Sequence, residues 1–168
     1  MPKASSAAIR PDRAPSDPRG SVSSLESHVG FWLRFVSNHV SGAFQRLMEE
    51  NGVSVTEWVA LRQIFETGSA SPGELIAALG MTKGAVSKVI DRLQAKGLVQ
   101  REVVQEDGRA QKIGLTRRGV ALVPRLAMLA DQNDEAFFGH LSTGKRHELV
   151  DVLKDLVRRH RLHQVPLE

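Results

Sequence analysis

The chain of 168 residues is 41% apolar and carries a formal net charge of +4. This length and composition suit one domain with a substantial core, and the basic balance predicts an acidic partner. The chain has no cysteine, no run of about 18 apolar residues and no signal-peptide core, so we expect a cytoplasmic protein without disulfides, thiolate metal sites or a membrane span.

Residues 1–24 are rich in proline, serine, alanine and arginine and show neither helical nor strand periodicity, which predicts a disordered tail. An apolar stripe then runs through residues 25–47 and predicts a first helix that ends near Asn51. The stripe is centred on Leu33 and Val40, and we expect it to face the core of its own subunit.

A second helix is predicted to begin after a short turn. Ser54 and Glu57 have the spacing of a capping box. Trp58, Leu61 and Phe65 recur at helical spacing, so we expect them on its inner face.

The next stretch carries the start and stop signals of a short helix. Ser71 can cap this helix, and Glu74 can complete a capping box. Pro72 suits the first helical position, while Gly80 suits the C-terminal end. We therefore predict a helix between Pro72 and Gly80.

Another helix follows after one intervening residue. Thr82 is its predicted cap, and Gly97 stands where a left-handed residue would end it. Two helices joined by so short a turn form a helix-turn-helix unit, in which the second helix reads DNA. Its core face is expected to consist of Val86, Ile90 and Leu93, with Val89 at the margin.

The opposite face of this recognition helix is small, polar and cationic, and such a face can enter a major groove. Free amides and the helix dipole at its N-terminus attract phosphate. Asp91 opposes phosphate binding, and we expect it to pair with Lys88 or Arg92. The predicted DNA-binding residues of this helix are Thr82, Lys83, Gly84, Ala85, Ser87, Lys88 and Arg92.

A β-hairpin is predicted after the recognition helix. The dipeptide Asp107-Gly108 lies between two β-branched runs, residues 97–104 and 110–116, which is a strong hairpin signal. Nine basic and four acidic residues give segment 81–118 a charge of +5, more than that of the whole chain. The excess positive charge predicts a phosphate-binding surface that includes this hairpin.

Two further helices are predicted downstream of the hairpin. Thr116 can cap a long fifth helix, in which Pro124 is expected to produce a bend because proline cannot complete the helical hydrogen bonding. Ser142 can cap the last helix.

Two apolar faces remain that a single subunit does not obviously cover. Phe31 and Phe35 lie about 160° from Leu33 around the first helix, so this helix is apolar on opposite sides. The last helix carries an apolar stripe of its own. We expect both faces to form a homodimer interface, with Phe31, Phe35, Leu149, Leu153 and Leu156 as its residues.

The segment VSKVIDRLQAKGLVQRE, followed by Asp107-Gly108-Arg109 and LTRRG, resembles the recognition helix, wing tip and fifth helix of the MarR (multiple antibiotic resistance regulator) family. The resemblance covers about residues 25–163. It implies a mainly helical domain with a small β-hairpin wing, in which Arg109 enters a minor groove and Asp107 orients it. Gly108 departs from the family, where many members carry a second basic residue.

The same resemblance implies a winged helix-turn-helix core at about residues 54–118, flanked by long dimerisation helices at about 25–51 and 117–163. A homodimer would repress a palindromic operator on double-stranded DNA and would be released by a small aromatic or anionic effector. The residues expected near that effector are Trp32, His39 and Trp58.

Two other classes of function are alternatives to DNA binding. An enzyme is not predicted, because no nucleophile elbow, glycine-rich phosphate loop or paired-histidine zinc motif stands in a suitable context, and no cofactor or metal site is expected. A winged-helix module that docks on proteins is the second alternative. It differs from a regulator by predicting no salt-dependent affinity for DNA.

Overall fold

The computed structural model describes residues 22–103 and 111–162, and it confirms a mainly helical winged helix-turn-helix fold. Within those two ranges, no helix is long and apolar enough to cross a membrane. The elements, in chain order, are α1 (Val29–Glu50), α2 (Val55–Thr67), β1 (Ser69–Ala70), α3 (Pro72–Leu79), α4 (Lys83–Ala95), β2 (Val99–Val103), β3 (Gln111–Leu115), α5 (Arg117–Phe138) and α6 (Thr143–Arg159).

The chain divides into two compact units, the first ending at Val36 and the second beginning at Ser37. In the first unit, a 3-10 turn over Leu25–Ser27 precedes α1. His28 has an extended backbone, with φ −96° and ψ 123°, and this separates the turn from the helix. The prediction that the first helix includes residues 25–28 is therefore wrong.

The stripe on α1 contacts the core less than predicted. Met48 is fully buried, and Phe44 and Leu47 pack against the core of the second unit. Leu33, by contrast, is 49% exposed, whereas Val40 is half-buried. The prediction that the stripe centred on these two residues is buried within its own subunit is therefore wrong at Leu33. Hydrophobic periodicity marks an apolar face, but it cannot tell which chain covers that face.

The second helix has the predicted start but a different inner face. In its capping box, Ser54 Oγ accepts a hydrogen bond from the Glu57 amide, and the Glu57 carboxylate accepts one from the Ser54 amide. Phe65 is 40% exposed, so its predicted place on the inner face is wrong, whereas Leu61 is buried as predicted. The buried residues of α2 are Glu57, Ala60, Leu61 and Ile64. Because one of them is a carboxylate, the apolar pattern alone does not show where the buried face is centred.

The predicted caps and ends of the two helices in the helix-turn-helix are confirmed. Ser71 and Glu74 form the capping box of α3, and Gly80 ends it in the left-handed conformation with φ 62°. Thr82 caps α4 by accepting a hydrogen bond from the Ala85 amide. Gly97, with φ 66°, follows the C-cap of α4.

The wing belongs to a three-stranded antiparallel sheet in which the strand order is β1-β3-β2. Arg101 of β2 pairs with Ile113 of β3, and Ser69 of β1 pairs with Gly114. The two-residue strand β1 was missed, because a segment so short has no alternating pattern. The hairpin tip, residues 104–110, lies outside the described residues.

The start of α5 is joined to the end of α4 by close contacts. The Thr116 amide donates to the Leu98 carbonyl at 3.0 Å, and Thr116 Oγ1 donates to the Gly97 carbonyl at 2.7 Å. Gly119 packs so closely that a Cβ on this residue would lie 2.1 Å from the Leu98 carbonyl oxygen. The long fifth helix is therefore fixed directly to the turn that follows α4.

The last two helices begin at their predicted caps. Thr116 Oγ1 accepts from the Gly119 amide, and Ser142 Oγ accepts from the Lys145 amide. Helix α5 runs without interruption through Pro124, and the bend there stays a prediction. Helix α6 buries none of its residues.

Candidate nucleic-acid interface

The recognition helix α4 is held by one fully apolar face. Its buried residues are Val86, Val89, Ile90 and Leu93, as the sequence predicts, and Val89 is as buried as the others. They pack in the same core cluster as residues from α2, α3, β3 and α5. The remaining face is therefore presented in a defined orientation.

The predicted DNA-binding residues of α4 lie on this outward face or at the helix start. Ala85 is half-buried, and the rest are exposed: Thr82, Lys83, Gly84, Ser87, Lys88 and Arg92. A Cβ added to Gly84 would meet nothing within 4 Å, so this position leaves space for another molecule to approach the backbone. The first turn thus combines free space, a cation and amides that point along the helix axis.

An ionic cluster centred on the buried Glu57 joins the end of α4 to the start of α2. Glu57 is only 1% exposed. Its carboxylate accepts hydrogen bonds from Lys96 Nζ at 2.6 Å, from Arg92 Nε at 3.3 Å and from the Ser54 amide at 2.8 Å. Sequence reasoning identified Glu57 only as a capping residue, and its burial depends on α4 lying across it.

The cluster keeps Glu57 ionised. Burial alone would raise the pKa of this carboxyl group, but hydrogen bonds from Lys96, the Ser54 amide and Arg92 outweigh burial and lower its pKa below the ordinary value of 4.5. Two cations of the recognition helix are thereby oriented by a single carboxylate.

We expect Glu57→Gln to destabilise the protein by about 1–3 kcal/mol near neutral pH, because it removes the charge that Lys96 and Arg92 share. The lowered pKa of Glu57 makes this contribution complete above pH 4.5, and it is lost as the pH falls through the folded-state pKa. Urea unfolding of both proteins across the acid range should show their difference shrinking below that value.

The matched control is Glu74→Gln, which changes the equivalent capping residue of α3. Glu74 is exposed, and among the described residues its carboxylate is hydrogen-bonded by Ser71 alone, so a smaller loss of stability is expected. Equal losses of stability for the two substitutions would show that the ion pairs of Glu57 with Lys96 and Arg92 do not stabilise the fold.

A second ion pair links α4 to the wing. Asp91 pairs with Arg101 of β2. The prediction that Asp91 pairs with Lys88 or Arg92 is wrong, because the hairpin returns alongside α4 and Arg92 turns towards Glu57. Wing residues Asp107 and Arg109 lie outside the described residues, and their roles stay predictions.

The three residues expected near an effector lie in different surroundings. Trp32, in the first unit, is 48% exposed, and its Nε1 donates to the Glu26 carbonyl at 2.8 Å. His39 is exposed on α1. Trp58 is half-buried and packs against the core cluster. An effector role for any of them stays a prediction.

The residues expected in a dimer interface are partly exposed in the single chain. The rings of Phe31 and Phe35 stack with centroids 6.1 Å apart, and the second ring is 51% exposed. On α6, Leu149, Leu153 and Leu156 are each 38–39% exposed. Apolar faces of this extent are typical of association surfaces.

These features define a class of protein. A helix-turn-helix is packed against a three-stranded wing, and its second helix presents a small, cationic outer face anchored by an apolar inner one. This arrangement is that of a DNA-binding winged-helix protein.

Comparison with known proteins shows which family the chain resembles. The model of the MarR family matches residues 51–110. The repressor NicR of Pseudomonas putida is 26% identical over 147 residues, which cover 88% of this chain and 92% of that protein. The chain is therefore similar to transcriptional regulators of the MarR family, over residues 51–110 in the family model and over most of its length in NicR.

Solved structures share the fold. BpsR of Bordetella bronchiseptica, whose DNA binding is regulated by 6-hydroxynicotinic acid, is 25% identical, with a TM-score of 0.69 and coverage of 81% of this chain and 97% of that one. A mutant of E. coli MarR in complex with operator DNA is 22% identical, with a TM-score of 0.67 over 77% of this chain and 93% of that one.

Proposed function

We propose that the protein is a sequence-specific transcriptional repressor that binds a palindromic operator as a homodimer. The observation that carries this proposal is the exposed face of α4, where small and cationic side chains stand opposite a fully buried apolar stripe. Operator binding by E. coli MarR and the repressor name of NicR support it. We place such a regulator in the cytoplasm, together with the DNA that it binds.

The residues of α4 fall into two proposed roles. Ser87 and Lys88 project beyond the first turn and reach base edges in the major groove. Arg92 uses Nε in its pair with Glu57, and its terminal amino groups contact a phosphate. The helix start positions the protein on the DNA backbone through Thr82, Lys83, Gly84 and Ala85.

The wing completes each half-site. Arg109 is proposed to enter the minor groove and Asp107 to orient it, as the family resemblance implies. Twofold symmetry places two recognition helices in successive major grooves, roughly 10–10.5 base pairs apart, and so requires a palindromic site. The dimerising unit spans about residues 25–163.

Release from DNA is proposed to depend on a small aromatic or anionic effector. Regulation of BpsR by 6-hydroxynicotinic acid, an aromatic carboxylate, supports this chemistry. The proposed contacts are Trp32, His39 and Trp58. The effector can act only by binding the DNA-competent and incompetent states with different affinity.

We expect operator affinity to fall steeply with salt, with each neutralised phosphate contributing about −0.9 to the slope of log K against log salt. Lys83→Ala should weaken binding to all sequences alike, because a phosphate contact carries no sequence information. It should also make the slope shallower by about the contribution of one phosphate. Lys88→Ala should cost about 1–3 kcal/mol on the operator and relax its preference for the operator sequence.

Fluorescence anisotropy over a salt series, with operator and scrambled duplexes, measures these quantities. Lys145→Ala, which removes an exposed lysine from the first turn of α6, is the matched control and should change neither affinity nor slope. Affinity that does not respond to salt would overturn the proposal and favour the protein-docking alternative.

A further inference from the structure

A cavity of about 610 Å³ lies at the C-terminal end of the recognition helix, in the second unit. It opens between the turn that joins α1 to α2, the residues after α4 and the first half of α5. Its volume is in the range of small-molecule sites. None of the three residues expected near an effector lines it; its walls include Val53, Lys96, Leu98, Arg118, Leu122 and Arg125.

The cavity is cationic. Lys96, Arg118 and Arg125 line it, and Glu50 is the single acidic residue in its wall. Arg118 and Arg125 are two helical turns apart, so they project from the same side of α5. Neither guanidinium group forms an ion pair or a hydrogen bond with a residue in the described part of the chain. Two guanidinium groups therefore face this space, and no acidic side chain within residues 22–103 and 111–162 pairs with them.

The floor of the cavity is apolar. Val53 and Leu98 are buried, and Leu122 is half-buried against the core cluster. Guanidinium groups bind carboxylates through paired hydrogen bonds, and an apolar floor favours a ligand with a hydrocarbon body. We propose that this cavity binds a small organic carboxylate, with Arg118 and Arg125 holding the carboxylate and Leu98 and Leu122 contacting the body.

The site is connected to the recognition helix by Lys96. This lysine lines the cavity and also donates to Glu57, which holds the end of α4. A carboxylate bound in the cavity competes with Glu57 for Lys96 and loosens the end of the helix, so ligand binding weakens DNA binding. This coupling rests on the proposed function, whereas ligand binding itself does not.

The binding test uses the full chain without DNA and benzoate as the probe. Isothermal titration at constant ionic strength should give saturable binding of benzoate and no binding of benzamide, its neutral analogue. An Arg118→Gln, Arg125→Gln double variant should bind benzoate about tenfold or more weakly, because charge-assisted hydrogen bonds are lost. Arg117→Gln removes the neighbouring exposed arginine, which does not line the cavity, and should leave the benzoate affinity unchanged.

Three results would overturn the site: benzoate that does not saturate, equal binding by the double variant, or equal binding of sulfate, which would show a general anion effect. A chemical-shift map of the wild type should place the changes at Lys96, Leu98 and Ala121, and changes confined elsewhere would also refute it. Benzoate that binds here but leaves operator affinity unchanged would overturn the coupling. Absence of operator binding in any condition would refute the proposed function and leave the ligand site standing.

Discussion

A Phe31→Glu, Phe35→Glu double variant is expected to sediment as a monomer and to bind a palindromic operator about a hundredfold or more weakly than the wild type. The two rings form an aromatic group with Trp32, whose ring centroid lies 5.2 Å from that of Phe31. Phe35 and Trp32 are each about half exposed in the single chain. Two carboxylates in the middle of a subunit interface would have to be desolvated without partners, so the dimer should not form.

The loss of DNA affinity follows from the loss of the second recognition helix. A dimer binds its second half-site intramolecularly, and this link is worth roughly 10²–10⁴ in affinity. Sedimentation velocity gives the oligomeric state, and anisotropy on full and half operators gives the affinity. Circular dichroism of the variant checks that the helices remain folded.

The matched control places the same charges elsewhere on α1. Ser37→Glu, Ser41→Glu has the same four-residue spacing, and its centre lies about 120° around the helix from the phenylalanines. This control should remain a dimer with operator affinity near that of the wild type. A wild type that sediments as a monomer, or a phenylalanine variant that remains a dimer with full affinity, would refute the proposed interface.

Gly119→Ala is expected to lower stability by about 3 kcal/mol and the melting temperature by roughly 6–12 °C. The added methyl would lie 2.1 Å from the Leu98 carbonyl oxygen and 3.3 Å from the Leu115 side chain. The closer neighbour is backbone that also accepts from the Thr116 amide, so it cannot move aside without breaking that hydrogen bond. Thermal denaturation measures the effect.

The same substitution should also weaken operator binding, because Gly119 fixes α5 to the turn after α4. Gly144→Ala is the control: it lies in α6, and its Cβ would meet nothing within 4 Å. Alanine there should leave the melting temperature unchanged or raise it slightly, since alanine favours helices over glycine. Equal melting temperatures for the two variants would show that the junction of α4 and α5 accommodates the added methyl group without loss of stability.

The starts and ends of the helices follow from residues that are close together in the sequence. Ser54, Ser71, Thr82, Thr116 and Ser142 each cap the helix predicted for them. Capping, proline at a first helical turn and glycine at positive φ depend on residues close in sequence, so local chemistry predicts them well. The buried face of the recognition helix was also predictable, because one uninterrupted apolar face packs against a single core.

Contacts between side chains that are distant in sequence depend on how the helices and strands pack. Glu57 and Lys96 are 39 residues apart, and their contact exists only because α4 crosses the start of α2. For the same reason, Asp91 pairs with Arg101 and Leu33 is exposed, and both observations differ from the predictions. Periodicity reports a residue's angle around its own helix, but ion pairing and burial depend on which distant element is packed against that angle.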